Sequence, residues 1–557
     1  MRKTFIIILC CIAVLLTGYV GYRSYKVWKC SHLMGLAHEF LAKADGRNAL
    51  LCVQQVLRSD PHNLDATRVM AQLAEAGRSP SALLWWGKVV ELNPHSLNDR
   101  LALAQTALLL HDYATATNAL AGVDQTGRNT VAYHSVAGVV AEAANQPAQA
   151  EAQFLEAARL DPQNESVQLN LAVVRLGGSN DLDQAEARIS LQRISSSATN
   201  AFLRCQALRE LAMDALRHRQ ADEALSWSKR LLQETNSTFQ DRLLQLDVLK
   251  ATRNTGFRPA LTAFQREARN NPVSIADLAT WQMANTSPQD ALTWLRSLPA
   301  NMQTNQAVEV LVAECCTMLK DWHGLQSSVE KQNWAELEFM RHAFLSRALR
   351  GQDLADSSKA EWELALQAAK GQLTPLRMLF RLAAQWNWES EGEDILRTIV
   401  NRYPDEKSAE QMLIQALYAT GQTRSLMQLF SMESQRVPSD LSTKNDLAMT
   451  AMLLNAQELK PYDLAREVYQ KSPANASYVS TYAFSLYLQK KNAEALKLMQ
   501  TLKPQQLQDP SIAGYYGLIL KATGDRARAR TYLNWASSKG HLLPEEKKLF
   551  NQAKAGL

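Results

Sequence analysis

Residues 131–164 read VAYHSVAGVVAEAANQPAQAEAQFLEAARLDPQN, and the apolar spacing in this stretch decides the fold. Ala137, Val140, Ala141 and Ala144 recur at the i, i+3, i+4, i+7 positions that share one helical face, and Ala150, Phe154 and Ala157 do so in a second segment. Asn145 and Gln146 form the turn between them. Pro147 stands in the first helical turn, where a missing N–H costs nothing, and Pro162 follows the second helix, which it cannot continue. Gly138, without a side chain, lets the two helices approach closely. A hairpin of this kind cannot bury both faces alone, so it must stack on copies of itself.

The copies are present. A small residue, then Ala twelve positions on, an apolar residue four further and another after three more, recurs as Gly138, Ala150, Phe154, Ala157 and as Gly517, Ala529, Leu533, Ala536. The spacing also fits Ala37, Ala49, Val53, Val56; Ala104, Ala116, Leu120, Val123; Ala212, Ala224, Ser228, Leu231; Ala279, Ala291, Leu295, Leu298; and Ala483, Ala495, Met499, Leu502. Pro61, Pro94, Pro162, Pro272, Pro404 and Pro438 close units, and Pro404 to Pro438 is one period of about 34 residues. This pattern resembles the tetratricopeptide repeat family, in particular its membrane-anchored bacterial type. The resemblance implies an all-α, right-handed superhelical solenoid of about fifteen helix-turn-helix repeats. It also implies that the first helix of each hairpin lines a concave groove holding peptides or partner proteins.

Residues 1–29 differ in kind. Arg2 and Lys3 precede FIIILCCIAVLL, and no charge occurs from Thr4 to Tyr22. As a helix that stretch would span about 28 Å, close to a bilayer's hydrocarbon thickness, with Tyr19, Tyr22, Tyr25 and Trp28 toward its far end. The sequence therefore predicts a single N-terminal transmembrane anchor. Cleavage as a signal peptide is the competing reading, disfavoured because Tyr19-Val20-Gly21 and Tyr22-Arg23-Ser24 are poor cleavage contexts. Basic residues flank the span on both sides. The short basic start followed by an apolar run resembles an export signal, which puts the repeats on the periplasmic or extracytoplasmic side.

The expected organisation is an anchor at 1–29, repeats at 30–332, an irregular helical segment at 333–372, repeats at 373–541 and a C-terminal capping helix at 542–557. Trp334, Phe339, Phe344 and Trp362 populate the irregular segment without an evident period, which marks it as a kink or boundary. The formal charge of +5 over 557 residues gives no broad basic face and argues against nucleic acid as a partner. Cys30, Cys52, Cys205, Cys315 and Cys316 are scattered, and buried free thiols are expected, although Cys30 and Cys52 share a hairpin.

No phosphate loop, GxGxxG, HExxH or GxSxG occurs, and no cofactor, metal or catalytic set is expected. The Cys315-Cys316 pair points to different helix sides and makes a poor redox pair. PEEKK at residues 544–548 reads as solvated surface or a helix start. Binding remains. The faces expected to look into a groove carry Arg377, Arg381, Gln411, Gln415, Tyr418, Ser480, Phe484 and Tyr487. The expected function is a membrane-anchored scaffold for partner proteins or peptides, supporting an envelope, secretion or polysaccharide-export complex. The alternatives are a cytoplasm-facing regulator of envelope biogenesis and an enzyme with its site in residues 333–372.

Overall fold

Each unit of the spacing becomes two helices and the seam between them. The computed structural model describes residues 24–557 except Arg78, Pro80, Gly540 and His541. The apolar run from Thr4 to Tyr22 lies outside the described residues. Among those described, no helix is long and apolar enough to cross a membrane, and helix and turn account for the structure, with no strand.

Two compact units divide the chain, Met1–Asn285 and Thr286–Leu557. In the first, helices follow one another as α1 (24–42), α2 (Gly46–Ser59), α3 (Leu64–Ala76), α4 (Ser81–Leu92), α5 (Leu97–Leu109), α6 (Tyr113–Ala121), α7 (Val131–Ala143), α8 (Pro147–Leu160), α9 (Glu165–Leu176), α10 (Asp181–Ser197), α11 (Ala201–Arg217), α12 (Ala221–Gln233), α13 (Phe239–Ala251), α14 (Phe257–Ala268) and α15 (Pro272–Asn285). The second contains α16 (Pro288–Arg296), α17 (Gln306–Leu319), α18 (Trp322–Val329), α19 (Glu338–Gly351), α20 (Ala355–Ala368), α21 (Leu373–Gln385), α22 (Glu389–Arg402), α23 (Lys407–Ala419), α24 (Thr423–Arg436), α25 (Leu441–Leu453), α26 (Pro461–Lys471), α27 (Ala476–Leu488), α28 (Asn492–Met499), α29 (Pro510–Ala522), α30 (Arg526–Lys539) and α31 (Pro544–Ala555). A few helical turns of three or four residues are unnumbered. Odd numbers from α1 to α13 and from α17 to α29 are first helices of hairpins.

Local chemistry explains the alternation. In most hairpins the turn holds one left-handed residue, as at His111 (φ 58°), Asn145 (φ 57°), Asn387 (φ 57°) and Gly421 (φ 68°), whereas the α9–α10 turn at residues 177–180 holds none. Between several hairpins a side-chain acceptor caps the next first helix: Asn63 Oδ1 accepts from Ala66 N (3.0 Å) and Asn164 Oδ1 from Val167 N (3.3 Å). Every residue of the seven seam sets is buried. Gly138 is required for a ring, not for backbone approach: a Cβ there would stand 2.5 Å from Phe154, which sits directly on it. At Gly517 the partner includes backbone, with Leu533 N 3.1 Å away.

Residues 333–372 differ from the expected irregularity. After a short 3-10 turn at Ala335–Leu337 they form the hairpin α19–α20. Its seam is Ser346, Ser358, Trp362 and Ala365, the same spacing with serines at the two small positions, all buried. The hydroxyls exchange bonds across the seam, Ser346 Oγ to Ser358 O at 2.7 Å and Ser358 Oγ to Ser346 O at 2.9 Å, which satisfies both buried donors.

In the first unit, ion pairs between a buried aspartate and a partly exposed arginine tie consecutive first helices together. Arg68 of α3 grips Asp99 of α5 through two hydrogen bonds (2.9 and 2.8 Å), and Arg209 of α11 grips Asp241 of α13 likewise (2.7 and 3.1 Å). Burial alone would raise Asp99, yet hydrogen bonds from Arg68, Ser96 and Asn93 hold its carboxyl below the ordinary range.

Candidate functional site

In the second unit the first helices α23, α25, α27 and α29, with α31, enclose a cavity of about 420 Å³. Asp440 caps α25, accepting from Ser442 N at 2.9 Å, and sets the phase in which Leu447, Ala448 and Ala451 are buried while Asn445, Asp446 and Met449 line the cavity. Ser477, Ser480 and Thr481 recur at i, i+3, i+4 on α27, and Asp509, capping α29 through Ser511 N (2.9 Å), brings Tyr515 to the wall.

The last wall is α31, which does more than cover the end of the stack. Phe550 is seated on Gly514, where a Cβ would stand 2.3 Å from the ring, and Lys521 Nζ donates to the Ala553 carbonyl at 2.6 Å. From there the N-terminus of α31 returns to hairpin α23–α24: Thr423 Oγ1 donates to Glu545, and Pro544 lies 3.0 Å from where a Cβ on Gly421 would be. The PEEKK segment is thus a helix start, as expected, but Glu546 is not solvated surface. Its Oε2 accepts from Leu543 N (2.8 Å), its Oε1 accepts from the Tyr515 hydroxyl, and its side chain lines the cavity.

The cavity is acidic and lacks a cation. Burial, reinforced by the charge of Asp440, pushes Asp446 up to about 6 against one opposing hydrogen bond from Asn445 Nδ2 (3.2 Å). Burial likewise raises Glu546, against the hydrogen bonds from Tyr515 and Leu543 N. Tyr418 and Tyr515 are raised by burial and by nearby carboxylates, so both are neutral phenols. No residue lining the cavity is basic. Two of its polar atoms, Asn445 Oδ1 and Ser480 Oγ, have no hydrogen-bond partner although their residues are 7% and 2% exposed.

A second cavity, about 590 Å³, opens on the other flank of α23. Phe380, Ala383 and Ala384 of α21, Gly392 and Leu396 of α22, and Met412, Gln415 and Ala416 of α23 line it, with Trp388 at one side. It is mainly apolar, and Met412 is 47% exposed at its edge.

The residues expected to line a groove separate into three groups. Tyr418 and Ser480 border the acidic cavity and Gln415 the apolar one, while Gln411 is exposed on the same helix as Gln415. Arg377 and Arg381 are exposed on α21, where Arg377 is engaged by Glu406 just before α23. Phe484 stands as a correction: it is 1% exposed, packed 4.6 Å from Tyr515 and 6.2 Å from Tyr487 between ring centroids, because Tyr515 of α29 closes that face within an apolar cluster that also holds Phe550. Tyr487 is half-buried beside it. Asn445, Asp446 and Glu546 escaped the sequence reading. Their signal was polar residues at first-helix positions of neighbouring units, visible only once α31 is known to fold back.

Other candidates carry structure. Cys315 and Cys316 are buried free thiols, and burial pushes Cys315 up to about 12, far from a reactive thiolate. Cys30 and Cys52 are also free. In residues 333–372, His342 Nδ1 meets Glu361 at 2.6 Å, a link between α19 and α20. Among the described residues no group of three or more His, Cys, Asp or Glu is poised to hold a metal.

No protein-family description and no curated protein matches the chain. Among solved structures it is similar to Pseudomonas aeruginosa PilF, at 17% identity over 40% of this chain and 99% of that one, with a TM-score of 0.32. It is similar to the APC/C hetero-tetramer Cut9–Hcn1 at 13% identity over 94% and 96%, TM-score 0.30. It is similar to PilW, described as a type IV pilus biogenesis factor, at 19% identity over 43% and 93%, TM-score 0.26. With its alternating hairpins, its seams at the repeat spacing and its capped turns, the chain has the architecture of tetratricopeptide repeat proteins.

Proposed function

We propose that the chain is a non-catalytic scaffold whose second unit holds a segment of a partner protein along α21, α23, α25 and α27. The observation that carries this reading is the pairing of two unlike cavities on the flanks of one first helix, α23, the apolar one beside Gln415 and the acidic one beside Tyr418. Such an arrangement suits an extended or helical segment that offers one apolar and one polar anchor, and a preformed surface keeps the ordering cost of binding low. Tethering to a membrane through Thr4 to Tyr22, with the repeats extracytoplasmic and serving an envelope, secretion or export assembly, is the cellular part of this proposal. It is supported by the charge-free apolar run alone.

Photo-crosslinking tests the surface. A crosslinker at Gln415 or Met412 should capture a partner in intact membranes, while one at Leu364 on α20 should not, and the captured protein should then bind the purified chain directly. Equal capture from both places would refute the surface. Turnover of a small molecule by the purified protein would refute the non-catalytic part, and repeats that resist protease in spheroplasts but are digested once the inner membrane is broken would refute their extracytoplasmic side.

A further inference from the structure

We propose that the acidic cavity between α23, α25, α27, α29 and α31 is a seat for a basic side chain, an arginine of the bound partner segment. The inference rests on the reading of this face as a partner-binding surface and names what one of its two anchors recognises.

The cavity's unmet needs define the occupant. Asp446 and Glu546 line it and no lysine, arginine or histidine does, so its charge is uncompensated from within. Asn445 Oδ1 is an acceptor without a donor, and Ser480 Oγ lacks any partner, both in residues more than nine-tenths buried. Unpartnered acceptors beside carboxylates call for a group with several N–H donors and a positive charge. A guanidinium has five donors in a planar fork and no acceptor. An anion or a second carboxylate would add repulsion. An apolar side chain would leave Asn445 and Ser480 unsatisfied at a cost that a hydrogen-bonding group avoids. Tyr418 and Tyr515 supply aromatic walls to which a planar cation is also attracted. Asp446, raised to about 6 by burial and by the charge of Asp440, is the group whose ionisation the arginine would draw down.

The test uses the full chain at pH 7.5, titrated calorimetrically with N-acetyl-arginine amide, its uncharged isostere N-acetyl-citrulline amide, and spermidine. The arginine amide should bind saturably, citrulline amide at least tenfold more weakly, and Asp446→Asn should weaken the arginine amide at least tenfold while the melting temperature is not lowered. Binding should also fade between pH 7.5 and pH 5 as Asp446 takes up a proton, with Asp440, Asp509 and Glu546 as the other carboxyls around it. Should Asp446→Asn fail to fold, Ser480→Ala removes the unpartnered hydroxyl without touching a charge and should cost about threefold. Equal binding of citrulline amide, unchanged affinity in the variant that is read, or preference for spermidine over arginine amide would each overturn the assignment. Partner capture from Gln415 with no arginine affinity would sink this inference and leave the scaffold standing. Arginine affinity without capture would do the reverse.

Discussion

Two aspartates on first helices, one in each unit, have opposite surroundings. Asp99 is buried and gripped by Arg68 from the preceding first helix, with Asn93 and Ser96 completing its hydrogen bonds. Asp446 is half-buried with one amide donor and no cation. The electrostatic result is opposite in sign: Asp99 is held below its ordinary range, and Asp446 is pushed up to about 6. The same residue type therefore stitches repeats together in one place and, in the other, stores an unfavourable charge beside a cavity. Structural carboxylates bring their partner with them. Asp446 stands without one beside a cavity that also holds the unpartnered Asn445 Oδ1 and Ser480 Oγ, and there the proposed arginine would supply it.

The largest expected effect comes from breaking the stitched side. Arg68→Ala should destabilise the first unit by about 2–3 kcal/mol, toward the lower end for a buried pair because Arg68 is partly solvated. The loss should be seen in urea unfolding above pH 5 and shrink as pH falls through the depressed value of Asp99, since that group's contribution is present only when it is ionised. On the other side, Asp446→Asn should stabilise the second unit by about 1–2 kcal/mol at pH 7.5. Asp446 holds its proton more tightly folded than unfolded, so its contribution to stability is fully present below about pH 4 and lost as pH rises through about 6. The gain from the asparagine should vanish at pH 4. A destabilised asparagine variant at pH 7.5 would break the comparison.

Met449→Arg would sharpen it by converting the second pattern into the first. One turn along α25 from Asp446, the new guanidinium should pair with the carboxylate, lower its pKa toward that of Asp99 as read by NMR, and abolish binding of the arginine amide. The smallest effect is expected where a pair is exposed. Arg377→Ala removes the partner of Glu406 at the surface and should change the melting midpoint by less than about 0.5 kcal/mol equivalent.

Much of the fold was legible because the repeat is written in small residues. Alanines and glycines at fixed spacing fall on buried positions in all seven sets, and Pro147 and Pro162 marked a helix start and a helix stop. The hairpin at residues 338–368 was missed for the same reason: its small residues are Ser346 and Ser358, whose mutual hydrogen bonds let polar atoms take an apolar seam. The groove was legible only by helix. First-helix periodicity picks out Gln415 and Tyr418, which stand at cavity walls, but it gives Phe484 an open face where Tyr515 of the next first helix packs. A contact such as Thr423 with Glu545, more than a hundred positions apart, leaves no period to read, and Glu546 reaches the cavity wall on the same helix, where the Tyr515 hydroxyl donates to it.

The return of α31 to Thr423 also changes how the last repeats should come apart. An open stack held by nearest neighbours frays from its ends, one hairpin at a time. Tying the C-terminal helix to hairpin α23–α24 turns that stretch into a closed circuit of high contact order, slow to assemble because the loop must close before its contacts form. Once formed, hairpins α23–α24 to α29–α30 stand or fall together. Amide hydrogen exchange should therefore find them opening as one cooperative block, while α1–α2 exchanges early and alone.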